Sequence, residues 1–417
     1  MKIRYEAARR PLPRGVWHYL AGAAAARAGD EMSGPALLLL GFAVTGRPAT
    51  GSALLAGVTI AGAAGGPAFG ALLDRSRRPE RVLAGTLAAY ALGIAAVQLA
   101  VGRLPMPAVL AIALTAGLFS PSVAGGWTSQ LPRLVTGPAL ARGSALDAMS
   151  YSAASLAGPA LAALAAAGVS PAAAVLTAAG LTGLAVPAAL ALGRYPAGPG
   201  PARGPADRLA WHRQIAAGFA AIAQRRPLLR ATVTSVVSYL GIGMLLVCCP
   251  VLGAQRLGGA SRGALLISVI AAASLAVNAA LARRPWRGPP DTMVLVSTLV
   301  IGASMAAAAI APGWLTLAAA ALGGAGEGPQ LTALFAVRHR EAPGHMRGQI
   351  FTTAASLKIA GMSAGAALAG VLAGHSVVTC LLVAAGFEVC AAGAYLLAAG
   401  LAAAPAGAAA DHPARSG

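Results

Sequence analysis

The sequence predicts an all-α membrane protein of twelve transmembrane helices in two six-helix bundles. Three observations carry that reading. Twelve apolar stretches divide the chain. The first six fall at residues 17–44, 51–73, 82–101, 107–127, 144–167 and 171–192. The second six fall at 231–252, 263–281, 293–311, 314–337, 349–372 and 377–401. Each holds about 20 residues or a little more, enough helix to cross a hydrocarbon layer of roughly 30 Å. Next, the basic residues alternate: of 31 Lys and Arg, 25 sit in the two tails and the even-numbered gaps. Only Arg47, Arg103, Arg256 and Arg262 sit in odd gaps, while Arg27 and Lys358 lie inside stretches. By the positive-inside rule the tails and even gaps face the cytoplasm, so the chain is multi-pass with both termini cytoplasmic. Finally, the chain is 57% hydrophobic and 10% charged, whereas a soluble domain carries about a quarter charged residues.

The elements follow in order. Residues 1–16 read as a cytoplasmic tail and 17–193 as the first bundle. The basic start and the apolar run 16–26 imitate a secretory signal, but Arg27, Asp30 and Glu31 and a further apolar run follow; the segment reads as a retained first span. Residues 194–230 read as a cytoplasmic linker, rich in Pro and Gly at 195–205. Within it Trp211, Ile215, Phe219 and Ile222 recur at helical spacing beside Arg208, Arg213, Arg225 and Arg226. That pattern fits an amphipathic helix lying on the membrane surface or a short helix packed on the loops. Residues 231–402 form the second bundle and 403–417 a disordered tail. The halves retain traces of a repeat. Arg133 matches Arg338, and Arg142-Gly143 matches Arg347-Gly348, all 205 residues apart; Arg75 matches Arg283, 208 apart. Trp17, Trp127, Trp286 and Trp314 fall at the ends of stretches, where indole rings favour the headgroup level.

Composition also excludes. A net charge of +19 raises nucleic-acid binding, but the charge is spread over short loops with no basic helix interleaved with aromatics; its partner is anionic lipid headgroups. Cys248, Cys249, Cys380 and Cys390 have neither disulfide nor metal spacing and read as small apolar packing residues. No metal ligand set and no cofactor motif stands out, and no partner chain is called for, so a monomer is expected. With 29 Arg against 2 Lys and abundant Ala and Gly, the composition points to a GC-rich bacterial genome and hence a bacterial plasma membrane.

The turn after the second stretch reads Gly70-Ala71-Leu72-Leu73-Asp74-Arg75-Ser76-Arg77-Arg78. A Gly, an Asp four residues on, an adjacent Arg and a basic cluster resemble the loop signature of the major facilitator superfamily, and with twelve stretches and the half-repeat the resemblance covers residues 15–402. It implies two bundles rocking about a central path, with Gly70, Asp74, Arg75 and Arg78 at a gate where the Asp/Arg pair latches and releases. Arg77 replaces the family's second Gly. The second-half counterpart, residues 278–283, has lost its Asp, so the latch belongs to the first half. The fifth stretch carries Gly158-Pro159 within a weakened form of the glycine-proline motif of drug/proton antiporters. The fourth lacks the buried Arg that many such antiporters place there, a departure bearing on proton antiport. Gly66 and Gly70, and Gly361 and Gly365, are spaced for close helix contact, which the resemblance puts across the bundle interface.

Eight of the 12 Asp and Glu fall in loops, tails or helix ends: Glu6, Asp74, Glu80, Asp147, Asp207, Asp291, Glu341 and Asp411. The other four, Asp30, Glu31, Glu327 and Glu388, fall mid-stretch, where a charge costs at least about 2.5 to 3.5 kcal/mol and marks function or pairing. Arg27, Asp30 and Glu31 share one helical face, so one carboxylate is expected to pair with Arg27 and leave the other to take a proton. Glu327 sits in Gly323-Gly324-Ala325-Gly326-Glu327-Gly328-Pro329, which predicts a break in the helix, tolerated where it lines a cavity. Lys358 requires a partner, either Glu327 or Glu388. In the resembled fold the first and tenth helices line the path, which puts Asp30, Glu31 and Glu327 on it.

The expected function is therefore secondary transport of a small organic molecule, in the manner of bacterial drug and metabolite exporters, with proton antiport as the coupling. Uptake or uniport by the same fold is the alternative. An intramembrane enzyme would require a nucleophile and base or metal ligands at depth, and no His lies mid-stretch.

Overall fold

The computed structural model describes residues 11–195 and 210–400. The Pro/Gly-rich part of the linker, Arg208 and the tail 403–417 lie outside them. All regular structure among the described residues is helical. The first half of the chain gives α1 (Arg14–Thr45), α2 (Pro48–Arg75), α3 (Pro79–Ala100), α4 (Met106–Gly117), α5 (Pro138–Gly168) and α6 (Pro171–Ala191). A linker helix, Trp211–Gln224, leads to α7 (Arg226–Arg256), α8 (Gly263–Arg283), α9 (Pro290–Ile310), α10 (Leu315–Glu341), α11 (Arg347–Leu372) and α12 (Val377–Gly400). Ten of the helical segments are long and apolar enough to cross a membrane; α1 and α10 are not among them. Those two are long, but they carry Arg27, Asp30 and Glu31, and Glu327.

Proline starts many of these helices. Pro48, Pro79, Pro138, Pro171 and Pro290 each open one, where the missing N–H has no intrahelical partner to lose. Gly46 closes α1 in the left-handed region, φ 67°, and returns its N–H to Phe42 O at 2.8 Å, a turn that a side chain would strain. The largest buried cluster draws only on residues 12–192; the second draws on residues 239–385 and a third on 231–395. Each half therefore has an apolar core of its own, and a small cluster of Ala148, Leu331, Phe335 and Phe351 joins them.

The helix break falls elsewhere than the sequence predicts. α10 runs unbroken from Leu315 to Glu341 with Pro329 inside it. Its glycines serve close packing: side chains at Gly324, Gly326 and Gly328 would collide with Ile270 O, Ser297 O and Ser274 O of α8 and α9. A propensity cost of about 1 kcal/mol per glycine is small beside that of backbone polar groups left unbonded in lipid. The chain unwinds instead after α4, through short helical turns at Ser120–Ser122, Gly125–Thr128 and Leu131–Arg133. Pro121 and the Gly125-Gly126 pair lie there, and Gly125 rests on the backbone of Phe351 in α11. Trp127, expected at the headgroup level, is fully buried and donates its indole N–H to Tyr19 O at 3.1 Å. Trp17, Trp286 and Trp314 are exposed.

The linker helix packs beneath both halves. Gln349 of α11 donates to Gln214 O (3.1 Å) and Ile215 O (3.0 Å), and Gln214 donates to Ala71 O of α2 at 3.5 Å. Its buried face is Gln214, Gly218 and Ile222, while Trp211 and Phe219 remain exposed.

Candidate functional site

The halves meet at the face that carries the basic loops. Gly66 and Gly70 of α2 approach α11 so closely that a side chain at either would strike Thr352, Ser356 or Gln349. Ser356 Oγ accepts from Gly66 N–H at 3.0 Å and donates to Gly62 O at 2.7 Å. One hydroxyl of the second half thus bridges backbone groups a turn apart in the first. On the other flank Ser152 of α5 and Ser274 of α8 lie 2.7 Å apart, and Asn278 donates to Ser152 at 3.3 Å. Gly361 and Gly365 do not take part: they pack on Val236 and Leu240 of α7, within the second half.

Asp74, expected at the gate, has backbone partners across the halves. Its two carboxylate oxygens accept from Gly348 N–H (2.8 Å) and Gln349 N–H (2.7 Å), at the start of α11. An acid at a helix N-terminus satisfies two donors that have no intrahelical acceptor and faces the positive end of the dipole. These two bonds tie a carboxylate of one half to the backbone of the other. Gly70 is needed beneath them, because its α-carbon lies against Gln349. Arg75 and Arg78 are exposed on the same turn, and Arg78 N–H donates to Ser76 Oγ at 3.0 Å.

The charges at depth separate into a locked pair and an open set. Arg27 pairs with neither Asp30 nor Glu31. Its guanidinium meets Asp147 Oδ1 at 2.9 Å and Asp147 O at 2.8 Å, donates to Thr128 Oγ1 at 3.0 Å and to Ser150, and lies 3.7 Å over the Tyr151 ring. Tyr19 and Thr128 donate to the two oxygens of Asp147 at 2.7 and 2.8 Å. Arg27 is 1% exposed and Asp147 0%, so both are shielded from any passing solute. Asp147 was assigned to the helix end; α5 begins at Pro138, which puts it in the third turn.

Asp30, Glu31, Glu327 and Lys358 remain half-buried. Tyr90 of α3 donates to Asp30 Oδ1 at 2.6 Å, and Ser155 of α5 donates to Glu31 Oε1 at 3.0 Å. Gly158 lets α5 reach α1 at that point: a side chain there would lie 2.7 Å from Glu31 Cβ. Pro159, the other half of that pair, sits inside α5 without ending it. Lys358 Nζ stands 4.5 Å from the Tyr239 ring centre and 5.6 Å from that of Tyr151, cation–π distances. It makes no ion pair among the described residues. Glu388, one of its two expected partners, has other contacts. It is buried in the second half, accepting from Ser238 at 2.9 Å within a network that runs through Gln330 to Thr298. The sequence reading missed Asp147, Tyr90, Tyr151 and Tyr239. Hydroxyl-bearing rings inside apolar stretches were the signal available.

The profile of the Major Facilitator Superfamily matches residues 19–366. The chain belongs to this family. Major facilitator proteins are transporters, and solved structures similar to the chain carry the same fold. A bacterial homologue of the iron transporter ferroportin, in an outward-facing state, superposes with a TM-score of 0.73 at 14% identity, covering 93% of this chain and 100% of that one. The E. coli fucose:proton symporter FucP gives 0.71 at 13% identity over 92% and 98%. The human organic anion transporter MFSD10 gives 0.70 at 19% identity over 92% and 100%. No curated protein sequence matches the chain significantly.

Proposed function

We propose that the chain is a proton-coupled exporter of a small organic molecule, working by alternating access between two six-helix bundles at residues 17–193 and 231–402. The observation that carries this reading is the set of half-buried charges Asp30, Glu31, Glu327 and Lys358, drawn from both halves. Twelve crossings follow if α1 and α10 are counted with the ten apolar segments; both miss the apolar criterion because they bear the site carboxylates. The basic loops put both termini in the cytoplasm of a bacterial plasma membrane. The chain then stands closed on the cytoplasmic side, with Asp74 on α11, Ser356 on α2 and Ser152 on Ser274 as the closure.

The coupling is antiport: a proton taken up by Asp30, Glu31 or Glu327 changes the charge facing Lys358 and the substrate. One proton crossing 100 mV supplies about 2.3 kcal/mol, a gradient of roughly 50-fold for a neutral solute. The abundance of small Ala and Gly side chains suits a drug-like or secondary-metabolite substrate, and the protein works as a monomer among membrane lipids. Among the similar folds are a fucose:proton symporter, a bacterial homologue of an iron transporter and an organic anion transporter, so the fold leaves the substrate open. A substrate screen in inverted vesicles with an imposed pH gradient tests the reading. Glu327→Gln and Asp30→Asn are expected to abolish pH-driven flux while the protein still inserts; full flux in both would refute it. Flux in the opposite direction would identify an uptake carrier instead.

A further inference from the structure

Several of the charges at depth have atoms left open. The Lys358 ammonium carries three donors, and none of them makes a hydrogen bond or an ion pair among the described residues; it rests only on the Tyr239 and Tyr151 rings. Glu31 accepts from Ser155 on Oε1 alone. Glu327 has no hydrogen-bond donor on either oxygen among the described residues. All three side chains are half-buried, and their open atoms remain accessible. Glu388 differs: its unpartnered Oε2 is closed off inside the second half.

Two of the open groups stand within reach of one small solute. Tyr151, against Lys358, and Ser155, on Glu31, are one turn apart on α5, about 6 Å along its axis. Gly158 lets α1 press on α5 beside Glu31. Packing and one hydrogen bond therefore hold that carboxylate in place and leave Oε2 free. Glu31 belongs to α1 and Lys358 to α11, so the two opposite charges come from opposite halves, and they do not meet. An unpaired charge at this depth is costly. A lone cation would satisfy Glu31 but leave Lys358 unpaired beside a second positive charge. A lone anion would satisfy Lys358 but face Asp30, Glu31 and Glu327.

We propose that the solute is a zwitterion, an amino acid or a small compound built like one, with its ammonium on Glu31 Oε2 and its carboxylate on Lys358 Nζ. The inference rests on the central charges being the transport path and narrows the solute within that reading. Such a solute completes both pairs at once and brings no net charge into the bilayer. Asp30 and Glu327 stay available to the proton. With one anchor in each half, the bound solute bridges the halves. Loss of either anchor turns the site toward singly charged compounds: Glu31 alone retains amines, and Lys358 alone retains acids.

The test uses the full chain in nanodiscs without a pH gradient, so that it reads binding apart from coupling. L-Phenylalanine and L-leucine are titrated against the unfolding temperature. Each is run beside its amine analogue (phenethylamine, isoamylamine) and its acid analogue (hydrocinnamate, isocaproate). At least one amino acid should give a saturable rise, half-saturating at least about tenfold below either of its analogues, because a site built for a polar group rejects a compound lacking it. Lys358→Met should shift the preference to the amines and Glu31→Gln to the acids; a reversed order also reports that the variant is folded. The proposal is overturned if neither amino acid stabilises, if an analogue acts at a lower concentration than its parent, or if neither variant reverses the order. PH-driven flux of some other solute in the vesicle screen would then leave the carrier reading standing. The predicted reversal without flux of the amino acid would support the site and remove the carrier reading instead.

Discussion

Arg27 and Asp147 stand 2.9 Å apart, each almost wholly buried, and every oxygen of the Asp147 carboxylate has a donor. A buried pair of this kind costs much to desolvate and adds little net stability, but removing one partner leaves an uncompensated charge, at about 3–5 kcal/mol. Asp147→Asn is expected to lower the unfolding temperature sharply in detergent. The double substitution Arg27→Met with Asp147→Leu should recover most of the loss, since no charge is then stranded. A single variant as stable as the wild type would show that the pair is not sealed.

The Asp74 latch makes a second prediction. Hydrogen bonds to a charged group contribute about 1.5–3 kcal/mol each, and Asp74→Ala removes two of them across the halves. The open population at this face should rise at least tenfold. Spin labels at Ser76 and His345, measured by pulsed dipolar spectroscopy, would register it as a new long distance. An unchanged distance distribution would remove the latch from the account.

Gly158 is expected to tolerate no side chain, because one would lie 2.7 Å from Glu31 Cβ and 3.0 Å from Met32 N. Overpacking of this kind costs about 1–3 kcal/mol and would also displace Glu31. Gly158→Val should therefore lose both flux and thermal stability, while Gly183→Val, which meets nothing within 4 Å, should lose neither. Equal behaviour of the two would contradict the packing.

The unwound segment after α4 predicts an exchange pattern. Amides at 118–131, in short turns, should exchange hydrogen faster than those at 323–329 in the unbroken α10. Mass-spectrometric exchange on the reconstituted protein checks this, and the reverse order would restore the break to α10.

These two segments also show where sequence reasoning stops. Both are rich in Gly and Pro, and propensity alone cannot tell a glycine that breaks a helix from one that admits a neighbour's backbone. In α10 the neighbours Ile270, Ser297 and Ser274 decide; they are remote in the chain and silent in the sequence. The helical spans and the Gly70–Asp74 motif were legible, because hydropathy, arginine placement and a short motif are local signals. The partner of Arg27 was not, because sharing a face with Asp30 and Glu31 does not fix which way a long side chain turns. Gly137-Pro138 held a usable clue: a helix starting there puts Asp147 inside the span. Lys358 eluded the choice between Glu327 and Glu388 because its nearest shown partners are the Tyr239 and Tyr151 rings, which a search for carboxylates passes over.

Alternating access between the halves is the central claim, and a cross-link on the α5–α8 flank tests it most directly. Ser152 and Ser274 have hydroxyls 2.7 Å apart, so cysteines at both sites should form a disulfide in a chain whose native cysteines have been removed. Flux of the substrate found in the vesicle screen should fall to background on oxidation and return on reduction. Undiminished flux with the halves covalently joined would contradict the account.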